Sequence, residues 1–264
     1  MGRLGKKRIV LKLGSNVLTK GTNQISRGKI EDIGRQILVL QDTYEFVIVS
    51  SGAIAVAKQF VNLESNGNGV AINVKQALAS IGQPHLMRIF QEGFRDHGLL
   101  TSQCLLSYSD FEKKQSQENI INTINVLIAN DYIPIINEND TVATDEIQFG
   151  DNDKLAALTA SLLDADLLVI ATNTNGICTK ESVENNTCQT ITEVYDIESL
   201  ENEIISSVST HGTGGMKSKI EATRIAQKAD IETWIINGLN DDFIMNAIHN
   251  KIQFTKINNV VHNE

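Results

Sequence analysis

Five short runs, "RIVLKLG", "FVIVSSG", "YIPIINE", "DLLVIATN" and "ETWIING", recur along the chain with few polar interruptions, and segments of helical pattern separate them. A strand with one face in water alternates apolar and polar residues, whereas a strand that is apolar on both faces needs cover on both sides. The pattern therefore predicts a mostly parallel sheet with helices packed on either face, an α/β fold. "GKIEDIGRQILVLQD" is the plainest helix, with Ile30, Ile33, Ile37, Leu38 and Leu40 at helical spacing. Residues 70–97 are helical in pattern but interrupted at Gly82-Gln83-Pro84, where a proline removes a helix donor. A hairpin region is expected after "DLLVIATN", then a glycine-rich loop opening the helix "MKSKIEATRIAQKAD".

Nothing in the chain resembles a linker, so residues 1–264 are expected to form one domain. The 23 Lys and Arg against 32 Asp and Glu leave a net charge of −9, which repels phosphate backbones and argues against a nucleic-acid partner. "KKRIVLKLG" starts almost at once without a signal-peptide core, and no apolar run is long enough to span a membrane, so no membrane is expected and the expected compartment is the cytoplasm. The odd cysteine count (Cys104, Cys178, Cys188) then reads as three reduced thiols.

Ligands of such sheets bind beyond the carboxyl ends of the strands. Lys12 interrupts an apolar strand there, a costly placement unless its charge meets a partner or ligand. Gly14 lets backbone N–H groups approach an anion, and Ser15 adds a donor. Ser51-Gly52 repeats the arrangement after the second strand, at the start of a helix, where plain N-capping is the competing reading. Asn137, Glu138, Asn139 and Asp140 end a strand, and Asp151, Asn152 and Asp153 open a helix. Such a mixture suits an amino-acid ligand, carboxylates accepting from its ammonium and amide N–H groups donating to its carboxylate. A calcium loop is the competing reading, but "DNDKLAALTA" lacks the required glycine and twelfth-position acid.

"HGTGGMKSK" misses the P-loop pattern because Met216 stands where its second glycine belongs. Its glycines still bring backbone donors to a polyphosphate, with Lys219 about one turn into the helix. In phosphoryl transfer a protein chiefly positions two substrates and neutralises charge. Lys12 and Lys219, from opposite ends of the chain, are placed to flank the moving group, with Asp153 between them holding both ammonium groups.

"VLKLGSNVLT", "IVSSGAIA", "PIINENDTVAT…FGDND" and "GTGGMKSK", in this order across nearly the whole chain, resemble the glutamate 5-kinase branch of the amino acid kinase family. The resemblance implies a three-layer αβα sandwich around a mostly parallel central sheet, and phosphorylation of the side-chain carboxylate of L-glutamate with ATP and Mg2+. It implies catalytic roles for Lys12, Lys219 and Asp153, and glutamate binding by Ser51, Gly52, Asn137, Asp140 and Asn152, with Asp151 close by. The nucleotide side falls to Lys12, Gly14, Ser15, Thr172, Asn173 and the segment Thr213, Gly214, Gly215, Met216, Lys217, Ser218 and Lys219; a metal held by protein side chains is not implied. Thr172-Asn173 stands where that branch usually has Thr-Asp, and Glu181-Ser182 where it often has Asp-Pro. Many relatives carry a C-terminal PUA domain, for which the sequence after "FTKINNVVHNE" leaves no room. Partners implied are glutamyl phosphate reductase downstream and a second copy of the chain, as a dimer or tetramer. A sibling kinase for another small acceptor and a catalytically silent amino-acid sensor remain the competing readings. The segment from Asp140 to Gly150 is expected to close over the site and exclude water.

Overall fold

The computed structural model describes residues 5–22, 24–63, 72–142, 152–179, 189–198 and 213–258. Its strands are β1 (Lys7–Leu13), β2 (Tyr44–Ser50), β3 (Leu100–Leu106), β4 (Tyr132–Glu138), β5 (Leu167–Thr172), β6 (Glu193–Val194), β7 (Glu232–Asn237) and β8 (Thr255–Ile257). They join into one sheet in the order β3-β4-β2-β1-β5-β7-β8-β6. All described pairings are parallel except β7 with β8. The chain thus fills one half of the sheet with its first four strands, then returns to the other side of β1. That reversal between β1 and β5 opens the crevice in which ligands of open α/β sheets bind.

The helices are α1 (Ser15–Leu18), α2 (Arg27–Leu40), α3 (Ala53–Ala57), α4 (Ile72–Arg95), α5 (Lys114–Ala129), α6 (Asp153–Leu162), α7 (Thr213–Lys228) and α8 (Phe243–Ile248). The period of two along β1 sends Ile9, Leu11 and Leu13 to one face and Val10 to the other. On the first face they meet Ile30, Ile33 and Ile37 of α2, Phe90 and Phe94 of α4, and Phe243 of α8. On the second, Val10 joins Leu155 and Ala156 of α6, Ile120 of α5 and Ile220 of α7. This is the expected three-layer sandwich. Leu38, grouped by its spacing with the inward residues of α2, turns out 37% exposed: the buried stripe runs through positions 30, 33, 37 and 40, and residue 38 falls beside it.

Two other readings change. The break expected at Gly82-Gln83-Pro84 is absent, and α4 runs continuously through Pro84. Gly82 instead serves packing. A Cβ there would lie 1.7 Å from the Ala53 carbonyl oxygen, so glycine lets α4 seat directly on the backbone of α3. The expectation of three reduced thiols fails at Cys178, which is disulfide-bonded. Cys104 is free, and burial raises its thiol pKa. The expected hairpin is present on the described flanks, where Ile191 N–H donates to Ile177 O and Thr179 N–H to Gln189 O.

Gly82→Ala is expected to cost about 1–3 kcal/mol, since the added methyl must displace backbone rather than a flexible side chain. Gly28→Ala, at an exposed position in the first turn of α2 with nothing near the new methyl, is expected to add up to about 0.5 kcal/mol through helix propensity. Thermal unfolding of the two variants beside the parent checks both signs.

Candidate active site

Lys12 shares the face of Val10, turned toward α6 and α7, and is 2% exposed. There it meets Asp153, the first residue of α6: Lys12 Nζ lies 2.5 Å from Asp153 Oδ1. Lys219, on the second turn of α7, donates to Asp153 Oδ2 at 2.9 Å and to Gly215 O at 3.2 Å. Asp153 is fully buried and Lys219 8% exposed. The trio forms because α7 packs along α6 on the face that β1 sends Lys12 into. Taking ionised groups out of water costs several kcal/mol each, so a lysine–aspartate–lysine set is a poor device for stability alone. The trio itself sums to one positive charge, beside a strand end where an anion can be neutralised. Gly14 keeps that approach open, for a Cβ there would lie 3.5 Å from Lys12 Nζ and 3.7 Å from Ala171 O.

A cavity of about 660 Å3 adjoins this point, lined by Ser15, Ser51, Gly52, Asn137, Asp140 and Asn152 among others. All six stand among the residues singled out from the sequence. Glu138, Asn16 and Lys58 line it too. Gly52 turns the chain from β2 into α3 at φ 108°, a left-handed conformation that favours glycine, and leaves the first-turn N–H groups of α3 at the cavity wall. The Ser51 hydroxyl is buried without a hydrogen-bond partner, although buried hydroxyls are normally satisfied. It is an open donor and acceptor in a cavity wall. Asp140 has its carboxyl pKa raised to about 6 by burial.

Asn137 and Asn152 are placed as expected but do different work. Asn152 Nδ2 donates to Ser50 O and to Asn137 Oδ1, both at 2.7 Å, so its two hydrogens are spent within the protein. Asn137 Oδ1 also accepts from Glu138 N–H at 2.9 Å, and Asn137 Nδ2 donates to Gln83 Oε1 at 2.7 Å. The expectation that amide N–H groups of these clusters donate to a ligand carboxylate does not hold at Asn152, whose remaining capacity is its Oδ1 acceptor. Gln83 was missed because Gly82-Gln83-Pro84 read as a helix break; a polar residue on the inward side of a continuous helix was the available signal.

The glycine-rich segment also differs. From Thr213 onward it is helix rather than loop, with Gly214 and Gly215 in the first turn of α7, while His211 and Gly212 lie outside the described residues. Any backbone donors come from a helix N-terminus, whose first N–H groups lack intrahelical acceptors. Met216 is half-buried against the core, Lys217 is exposed and Ser218 half-buried. Thr172 ends β5 beside β1, and its hydroxyl lies 3.4 Å from Asn173 Oδ1, with Asn173 exposed. None of these described residues lines the cavity of Ser51 and Asp140. Asp151, the side chain of Thr213 and most of the segment expected to close over the site (143–150) lie outside the described residues. Among the described residues, no group of three or more His, Cys, Asp or Glu side chains is placed to hold a metal ion.

Residues 7–237 match the model of the amino acid kinase family. The chain belongs to the amino acid kinase family. It is similar to the glutamate 5-kinase of Dehalococcoides mccartyi strain 195, at 40% identity over 95% of this chain and 68% of that protein. It is similar also to the glutamate 5-kinase of Alkaliphilus oremlandii, at 38% identity over 94% of this chain and 95% of that protein. Glutamate 5-kinase 2 of Bacillus subtilis is 38% identical over 94% of this chain and 67% of its own length. In fold, this amino acid kinase resembles the crystal structure of UMP kinase from Ureaplasma parvum, with a TM-score of 0.66 and 16% identity, covering 96% of this chain and 99% of that one. No helix among the described residues is long and apolar enough to cross a membrane.

A titration of the Asp140 carboxyl, followed by 13C NMR, is expected to give a midpoint near 6 and to move down when an ammonium-bearing ligand enters the cavity. A midpoint in the ordinary range near 4, unmoved by ligand, contradicts a desolvated carboxylate awaiting a positive partner.

Proposed function

We propose that the chain transfers the γ-phosphoryl group of ATP to the side-chain carboxylate of L-glutamate, giving L-glutamyl 5-phosphate, the first step of proline biosynthesis. One observation carries the reading. A buried lysine–aspartate–lysine trio is joined, through Asn152 next to Asp153, to a cavity whose wall offers Asp140, the Asn152 oxygen and an unpartnered Ser51 hydroxyl. Asp140 and Asn152 Oδ1 accept from the ammonium of glutamate; Ser51 and the first-turn N–H groups of α3 receive its α-carboxylate. The side-chain carboxylate then points toward Lys12.

A carboxylate is already ionised at neutral pH, so the attacking oxygen needs no general base. It forms a bond to the γ-phosphorus while the bond to the β-phosphate oxygen breaks and ADP leaves, with no proton transferred. What the transfer requires is charge neutralisation and alignment. Lys12 serves the acceptor side of the moving group and Lys219 the nucleotide side, while Asp153 keeps the two ammonium groups apart and aimed. Thr172, Asn173 and the start of α7 contact the nucleotide. The family reading brings Mg2+ with ATP, which the phosphates and water would hold.

The product is an acyl phosphate, short-lived in water, which suits hand-over to glutamyl phosphate reductase in the cytoplasm. We assign residues 1–264 to a single kinase domain that works as a homo-oligomer. A sibling kinase for a nucleotide acceptor is the second reading. Glu138 and Asp140 in the cavity wall disfavour it, since they repel an acceptor phosphate.

With ATP, magnesium and hydroxylamine, colour from the captured hydroxamate is expected with L-glutamate and not with L-aspartate, N-acetyl-L-glutamate or UMP; turnover of ATP without colour overturns the carboxyl acceptor. Lys219→Ala is expected to lower kcat at least about a hundredfold with glutamate binding nearly unchanged, because its charge matters most in the transition state. Loss of glutamate affinity with kcat intact contradicts that role. The KM for glutamate is expected to climb as pH falls through about 6, where Asp140 takes up its proton and ceases to attract an ammonium group, while the KM for ATP follows a different profile.

A further inference from the structure

We infer that Gln83 is a positioning residue that holds the Asn137–Asn152 amide pair rigidly in the orientation set by its backbone partners, and thereby favours an acceptor carrying a free ammonium group; this rests on the function proposed above. Gln83 is 8% exposed and sits on α4. Its Oε1 accepts from Asn137 Nδ2 at 2.7 Å. Backbone groups fix the polarity of the rest. Glu138 N–H can only donate, so it requires the oxygen of Asn137; Ser50 O can only accept, so it requires the nitrogen of Asn152. Asn152 Nδ2 spends its second hydrogen on Asn137 Oδ1. With that oxygen accepting twice, Asn137 Nδ2 must find an acceptor on its far side, and Gln83 supplies it.

The consequence is chemical. Were Asn137 turned over, its nitrogen would face both Glu138 N–H and Asn152 Nδ2, and Asn152 would be driven to turn as well. The cavity would then show a donor where it now shows Asn152 Oδ1. An ammonium group gives hydrogens and takes none, so a donor at that place repels it. Gln83 therefore acts on substrate through two intervening amides. Its own place is set by Gly82, whose missing Cβ lets α4 seat on the Ala53 carbonyl and brings the next residue inward. The network also joins the ends of β2 and β4 to the residue before Asp153, so amide polarity and the lysine trio share one support.

The test uses Gln83→Met, which is close in volume but offers no comparable acceptor, and Gln83→Glu, which keeps an acceptor for Asn137. Gln83→Met is expected to raise the KM for glutamate about tenfold, with kcat and the KM for ATP within about twofold of the parent, and Gln83→Glu to return most of the loss. An unchanged KM for glutamate in Gln83→Met overturns the proposal. So does a joint fall in kcat, ATP affinity and Tm that Gln83→Glu does not relieve, since that is the behaviour of a merely structural residue. Should Gln83→Met not fold, Gln83→Asn, polar and shorter, takes its place with the same expectation. If the parent does not phosphorylate glutamate, the proposed function fails on its own, and side-chain amide exchange by 15N NMR decides the network. Faster exchange at Asn137 and Asn152 in Gln83→Met supports the positioning role, and unchanged exchange overturns it.

Discussion

The Asp153 carboxylate, closed off from solvent and gripped on both oxygens by lysines, is the point on which the site depends. Each of its partners arrives from a different layer. Lys12 comes from the central strand, and Lys219 and Asp153 from two helices packed side by side on one face of the sheet. None of these charges is affordable alone in a dry interior. Their assembly therefore requires the sheet, α6 and α7 to be seated correctly at once, and the apolar face around Val10, Leu155, Ala156 and Ile220 provides that seating. The helix start at Asp153 contributes as well, since the N-terminal end of α6 favours a negative side chain.

Around this centre the polar groups fall into two kinds. Asn137, Asn152 and Gln83 satisfy one another, with backbone carbonyl and N–H groups setting their direction, and so form a rigid wall. Ser51 and Asp140 are the reverse: one hydroxyl buried without a partner and one carboxyl whose burial raises its pKa. Such unmet capacity costs free energy in the empty protein and is recovered when a ligand of matching chemistry enters. The contrast separates residues that build the wall from residues that address the occupant, a distinction that residue type alone does not make.

That contrast also explains what was legible in the sequence. The strand runs were readable because both-face burial leaves no alternation, and Lys12 was readable because a charge inside such a run demands a reason; Asp153 and Lys219, ordinary at a helix start and in a helix, were readable only in combination with it and the glycine-rich segment. The amide polarity of Asn152 was not readable, because it depends on Ser50 O and Asn137, and the latter on a glutamine 54 positions away in sequence. Gln83 itself was hidden behind a proline that α4 tolerates at an exposed position. The start of α7 was misplaced for a related reason: glycines next to a helix read locally as a loop, while its packing on α6 extends the helix back to Thr213. The short strands β6 and β8 carry too few residues to show a period and exist through pairing with each other and with β7.

The reversal of the sheet between β1 and β5 divides the molecule in a way that follows the chain. The strands on the β3 side belong to residues before Asp153, as does every residue lining the cavity, and the strands on the β6 side belong to residues after it. Asp153 is the seam between two contiguous stretches of polypeptide, with a lysine reaching to it from each; on the proposed function the first stretch shapes the recipient of the phosphoryl group and the second its donor. A lineage built this way can revise its choice of recipient within one stretch while the other continues to handle the same nucleotide. The same sheet underlies a protein that shares only 16% of its residues.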